Sequence, residues 1–432
     1  MKEKEWNFVN QRHSNAIKDK EYTKWYSGNV LLLGLVSFFA DISGEMMTPV
    51  LPLFIAALGG SSIVIGFIGG LGDAIANIVK VISGYLSDKT RKRKQLIAIG
   101  YGIPFLAKLG IGFSNSWEQV LVLKPTERLG KGFRGAPRDS LLADSISFKL
   151  RGKAFGFHRM MDTAGAIIGS FLALIIALLF FNILINELEI LKNIIIISAF
   201  ISLLALIPIF FISESTEYVS KKEQRKITFI QNLKELPKSY YKFLFVSIIF
   251  GLANFTILLF ILHSKTVILG MDETASPLVL LIIPIIIFIW FNIIYTVLSI
   301  PFGDWSDKYG RKQVFAIGLI LYAITCFGLL FTTNIILLFL FFGIYGAFNA
   351  STDGIQKAYT VDLLPQDLKG TGIGLLQTSV GFAGILGGLI AGYLYYAGPT
   401  FAFIYGGIMT IIALILLLLM TFTSVERSTQ KI

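Results

Sequence analysis

The chain has 432 residues, of which 54% are hydrophobic and only 15% charged, and it carries a formal net charge of +11. An ordinary soluble domain is roughly 25% charged, and mean hydropathy here is +0.71, which excludes a soluble globular fold. A single cysteine, Cys326, rules out an internal disulfide and any Cys/His metal cluster.

The first 28 residues are polar and charged, without the apolar core of a cleavable signal peptide. After them, apolar runs of about 20 residues recur to the end of the chain, each long enough to cross a hydrocarbon core of roughly 30 Å. Backbone groups in lipid must bond internally, and these runs are too long for barrel strands, so they predict helices. Twelve are expected, at about 29–56, 62–86, 95–113, 117–141, 153–181, 192–212, 242–265, 277–300, 313–332, 334–360, 371–397 and 400–422. Residues 213–241 are polar and have the length of a linker, and 423–432 form a tail. The expected fold is an all-α polytopic membrane protein with an N-terminal bundle over 29–212 and a C-terminal bundle over 242–422.

The basic charge is explained by topology. With the N-terminus inside, the inner tails and loops carry 27 Lys and Arg, the outer loops only Lys192 and Lys265, and nine lie within helices. Such a bias places both termini in the cytoplasm of a cell-membrane protein and argues against nucleic acid as a partner.

The chain is written twice. Gly84-Tyr-Leu-Ser-Asp88-Lys89-Thr-Arg-Lys92-Arg93 follows the second helix, and Gly303-Asp-Trp-Ser-Asp307-Lys308-Tyr-Gly310-Arg311-Lys312 follows the eighth, 219 positions later. Asp144, Arg151 and Gly156 are matched by Asp362, Lys369 and Gly374 at an offset of 218. Internal repeats of this kind are common in secondary transporters.

These loops resemble the signature loop of the major facilitator superfamily, Gly-x-x-x-Asp-Arg/Lys-x-Gly-Arg-Arg/Lys. The second copy fits at every defined position; the first has Arg91 where the pattern has Gly, and its turn must close without that residue's freedom. Arg128 to Gly132 resembles the family's fourth-helix motif. Asp41 to Glu45 and Gly130 to Asp139 are similar to a prokaryotic subfamily of transporters of undefined substrate. The resemblance implies twelve helices in two pseudo-symmetric six-helix bundles. It also implies a conformational latch that closes the inner side when the outer side opens. Its residues would be Gly84, Asp88, Lys89, Asp144 and Arg151 in one copy and Gly303, Asp307, Lys308, Gly310, Arg311, Asp362 and Lys369 in the other. Gly165 to Ser170 is similar to the family's fifth-helix antiporter motif but lacks its proline, and the small residues are better read as close helix packing.

Ionisable residues within the helices are the sharper signal, because an uncompensated intramembrane charge costs at least a few kcal/mol. At 1.5 Å per residue, Asp41, Asp73 and Arg128 lie about 16–18 Å from the nearer helix ends used for reckoning, close to mid-depth. Asp41 and Glu45 share one face, as do Asp73, Asn77 and Lys80. The fourth helix carries Glu127, Arg128, Lys131, Arg134, Arg138 and Asp139 and cannot face lipid; the fifth adds His158, Arg159 and Asp162. Asp41, Glu45, Asp73, Arg128, Lys131, Arg159 and Asp162 are the candidates for substrate and proton sites. For Lys108 and Lys124, snorkelling or placement at a membrane edge is expected rather than a functional role. In the second half Asn254, Asn292, Asp353, Lys357 and Gln377 are cavity candidates, with Asp353 and Lys357 four apart and able to pair.

No nucleotide-binding loop, nucleophile elbow or zinc motif is present, so neither an enzyme nor a cofactor is expected. The reading is a secondary active transporter of a small solute, working as a monomer among membrane lipids with protons as the coupling ion. The cations favour an anionic or zwitterionic solute. Rival readings are export of amphiphilic compounds and, in another class, a receptor or scaffold that transports nothing.

Overall fold

Prolines and capping side chains decide where the apolar segments begin and break. The computed structural model describes residues 28–90, 92–146, 150–181, 183, 186–213, 233, 235–365 and 368–420. The expectations for the two tails, for most of the linker, for Arg91 and for the side chains of Asp88 and Arg151 fall outside the described residues.

Among the described residues there are twelve helices: α1 (Gly28–Ala57), α2 (Ser62–Thr90), α3 (Arg93–Gly112), α4 (Trp117–Asp144), α5 (Arg151–Phe181), α6 (Glu187–Phe211), α7 (Lys238–Met271), α8 (Pro277–Tyr309), α9 (Arg311–Leu330), α10 (Ile335–Asp362), α11 (Lys369–Ala397) and α12 (Pro399–Leu419). Asn186, Ser276 and Asn334 start α6, α8 and α10 by accepting a backbone N–H two or three residues on. Pro277 and Pro399 lie in the first turns of α8 and α12, where a missing N–H is harmless. Pro52 and Pro208 sit where α1 and α6 are interrupted, each too close to the carbonyl four residues earlier. The break in α7 at Asn254–Thr256 contains no proline. There the Tyr322 and Tyr405 hydroxyls donate to the Ala253 and Leu252 carbonyls at 2.9 and 3.0 Å, replacing bonds that lipid cannot supply.

Eleven of these helices are long and apolar enough to cross a membrane; α4, with 28 residues, is long enough but too charged. It is accommodated by packing against α2 and α3. The other extensive pairs in the first half are α1 with α5, α1 with α6 and α3 with α6, and every one of these pairs recurs in the second half six helices on. The two longest seams between the halves run α2 along α11 and α5 along α8.

The seams are built differently. In α2–α11, Gly66 and Gly388 meet backbone to backbone, and a methyl group on either would fall on the carbonyl of the other. A methyl on Gly392 would lie 2.6 Å from the Ser62 carbonyl oxygen, whose own hydroxyl donates to Gly392 at 2.9 Å. At the end away from the basic loops, Lys265 of α7 also reaches Glu187 of α6 at 2.8 Å. The α5–α8 seam is polar, as described below. Inside the first half, Gly165 and Gly169 let α5 approach the Phe38 and Ile42 carbonyls of α1, which is the close packing expected of them.

The two copies of the basic loop are not in the register that the motif suggests. Arg93 bonds Asp144 and Arg311 bonds Asp362, an offset of 218 rather than 219. The first loop is therefore one residue longer, and Lys92 rather than Arg91 stands opposite Gly310. Gly310 starts α9 at φ +100°, whereas Lys92 starts α3 at φ −88°. An added residue makes the turn that positive φ makes in the other copy.

Candidate functional site

The charges of α4 fall at two levels, and a third group lies on neighbouring helices. Nearest the end away from the basic loops, Lys124 donates to Glu127 at 2.8 Å, both side chains being almost fully buried. Arg128 lies 3.8 Å from Glu127 and 3.5 Å from Asp73 of α2, whose carboxylate is open to the interior space. Behind them Lys108 of α3 donates to Ser43 of α1 at 2.7 Å, and Ser43 donates to the Ser198 carbonyl of α6 at 2.5 Å. Lys108 is 2% exposed and Lys124 5%. The expectation that they snorkel is overturned: the helices around them supply polar partners, so neither stem needs to reach water.

The second level is organised by a serine. Ser37 of α1 accepts from Arg138 at 3.0 Å and is 2.7 Å from His158 Nε2, with the Tyr101 hydroxyl 3.4 Å away. His158 Nδ1 faces Asp162 one turn on at 3.5 Å. Arg138, Ser37, His158 and Asp162 thus form one connected polar chain. Arg134 stacks over the Tyr101 ring at 4.3 Å. His158 is 4% exposed, enclosed by the helices around it.

The third group crosses between the halves. Arg159 of α5 donates to the Tyr295 hydroxyl of α8 at 3.1 Å, and Tyr295 donates to Asp353 of α10 at 2.9 Å. Tyr295 also stacks on Phe291, which stacks on Tyr345. Asp353 thus takes a hydroxyl from α8, and no ion pair joins it to Lys357 among the described residues. Tyr295 has no distinguishing mark in the sequence, where it is one of 16 tyrosines.

The other candidates surround these groups. Asp41 is within Coulombic reach of Asp162, Lys131, Arg134 and Arg138, and Glu45 of Asp41, Lys131, Arg128 and Lys124. Lys131 is exposed to the interior and makes no ion pair among the described residues. Asn254 ends the first segment of α7. Asn292 is buried with its Nδ2 unbonded. Gln377 lies one turn from Gly381, which faces Ala74 and Asn77 of α2.

At the basic end, Asp307 lies 3.4 Å from Arg311, which also holds Asp362. Lys94 donates to the Phe210 and Ile212 carbonyls at 2.8 and 2.9 Å, and Lys312 donates to the Met420 carbonyl at 2.8 Å. Each lysine caps the last helix of its own half. Gly84 faces Ala136 of α4, Gly303 has open space around it, and Lys89 and Lys308 are exposed. Lys369 opens α11.

The chain matches the Major Facilitator Superfamily profile over residues 33–294 and again over 285–431. It is 42% identical over 404 residues to an uncharacterised MFS-type transporter of Methanocaldococcus jannaschii, covering 94% of this chain and 98% of that one. Among solved structures, the nucleoside transporter NupG superposes with a TM-score of 0.71 at 16% identity over 94% of this chain and all of that one. A D-xylose-proton symporter superposes at 0.69 and 16% identity over 91% and 97%; these two likenesses bear on the fold alone. The duplicated packing, the paired basic loops and the profile agree: the chain belongs to the Major Facilitator Superfamily and is a multi-pass membrane transporter, not an enzyme.

Proposed function

We propose that this transporter moves a small anionic or zwitterionic solute across the cell membrane by rocking one six-helix half against the other, coupled to protons. The observation that carries the reading is the charge set inside the first half. Away from the helix ends, eight cations (Lys80, Lys108, Lys124, Arg128, Lys131, Arg134, Arg138, Arg159) share that interior with six carboxylates (Asp41, Glu45, Asp73, Glu127, Asp139, Asp162). Intramembrane charge must be balanced, and an anionic solute supplies what the protein lacks. Lys131 and Arg159, exposed to the interior from α4 and α5, are its receptors. Both termini lie in the cytoplasm in this reading, on the evidence of the Lys and Arg distribution.

Proton coupling is supported by the line from Arg138 through Ser37 and His158 to Asp162, with Asp41 close by. A carboxylate that must choose between a proton and an arginine couples protonation to a change of partners. The roles of Asp88/Asp307 and their neighbours as latches belong to the same proposal. The test is flux into proteoliposomes of solutes that stabilise the purified protein against heating. Uptake should follow an imposed pH gradient, and Arg128→Ala or Asp41→Asn should abolish the stabilisation. Equal flux without a gradient, with no proton movement, removes the coupling; a cationic or uncharged preferred solute removes the charge argument.

A further inference from the structure

Arg128 and Asp73 face each other without bonding. The stem of Arg128 lies on Gly72 of α2, where a methyl group would come within 3.0 Å of Cγ, and this lays its head beside Asp73. The two carboxylates near the guanidinium, Asp73 and Glu127, stand 3.5 and 3.8 Å away. Among the described residues Arg128 donates no hydrogen bond and Asp73 accepts none. Glu127 is already taken, since buried Lys124 donates to it at 2.8 Å. Asp73 is the opposite case, its side chain 64% exposed to the interior space. A guanidinium carries five donors in a fork that fits the two oxygens of a carboxylate, and a carboxylate has room for several donors. At 3.5 Å the two groups attract each other and use neither capacity. Lys124, Glu127, Arg128 and Asp73 are also balanced among themselves, unlike the interior of this half as a whole.

We propose that Arg128 and Asp73 form a two-pronged site for a compact zwitterion of the α-amino-acid kind, its carboxylate on the guanidinium and its ammonium on Asp73. The site rests on the reading above of an anionic or zwitterionic solute and selects the second of those classes. The charges of such a solute lie antiparallel to those of the protein. Each of the four charges then gains a hydrogen-bonded partner, and none is left over in an apolar interior. The 3.5 Å gap sets the adjacency: a solute whose two charges are far apart cannot meet both prongs. A carboxylate alone brings a second anion up to Asp73, and an amine alone meets Arg128.

The experiment removes one charge at a time from solute and protein. Thermal unfolding of the full-length protein in detergent is followed with glycine, alanine, leucine and phenylalanine. Each is compared with the acid and the amine left when one charged group is lost, which for glycine are acetate and methylamine. At least one amino acid should raise the melting temperature by about 2 °C or more. It should act at a concentration roughly tenfold or more below that of its matched acid. Asp73→Asn keeps the size of the side chain and removes its charge, so the acid should then stabilise as well as the amino acid. Asp73→Ser should lose the preference in the same way, which separates the charge from the effect of any one replacement. Arg128→Gln should respond to neither. A parent protein that responds to the acids as strongly as to the amino acids, or to no amino acid, overturns the two-pronged site. So does an Asp73→Asn variant that keeps the parent's preference. Stabilisation by succinate without any response to amino acids removes this site and leaves the anionic reading standing; stabilisation by the amines alone removes both.

Discussion

Arg93 and Arg311, 218 residues apart, make the same bond, each guanidinium closing on the carboxylate that ends the fourth helix of its half. Neither pair is fully buried, so each contributes about 1 kcal/mol or less to stability. Arg93→Gln and Arg311→Gln should therefore insert and fold normally yet slow transport, each by a similar factor. Exchanging the partners, Arg93→Asp with Asp144→Arg, should recover part of the rate. Flux in proteoliposomes at matched protein density is the measurement, and a wild-type rate in both single variants would show the pairs to be passive.

Tyr295→Phe keeps the stack on Phe291 and removes one oxygen. Both Arg159 and Asp353 lose a charge-assisted bond worth about 1.5–3 kcal/mol. The expected result is a transport rate lowered by roughly tenfold or more with little change in melting temperature. Tyr295→His, which restores a polar group, should recover some of it. A large fall in melting temperature with unchanged rate in the surviving protein would make the tyrosine a packing residue only.

Gly388→Leu places a side chain where α2 and α11 touch through their backbones. Overpacking of this kind costs about 1–3 kcal/mol and should hold the seam apart, abolishing transport even in protein that still inserts. Leu386→Ala, a change at an exposed position on the same helix, is the control and should leave flux intact.

Glu127 is the carboxylate that keeps Lys124 and Arg128 balanced. Glu127→Gln strands a buried ammonium and should cost about 3–5 kcal/mol, whereas Lys124→Leu with Glu127→Leu should recover much of that loss. Thermal unfolding in detergent reads both. Equal stability of the single and double variants would show that Lys124 finds another partner.

Most of the fold was legible because lipid leaves the chain few options. Run length set the helices, the offset set the halves, and isolated charges at mid-depth marked α1, α2, α4 and α5. What escaped depends on partners. Ser37 and Tyr295 are residues of common types whose importance comes from what stands across from them. Lys108 and Lys124 looked able to reach an edge because a sequence does not show that neighbouring helices bury them. The bond from Arg93 to Asp144 was within reach, since Arg93 and Arg311 share the offset of Asp144 and Asp362. Aligning the loops on their glycines, one residue out of step, hid it.

Lys94 and Lys312 give the molecule a load path. Each grips the carbonyls at the close of α6 or α12, the points where the chain leaves its bundle. A pull exerted through the linker or the C-terminal tail is thus delivered sideways into α3 or α9 and shared with the fourth helix through the neighbouring arginine. Tension that would otherwise unwind a terminal turn is thereby shared with the neighbouring helices of that half.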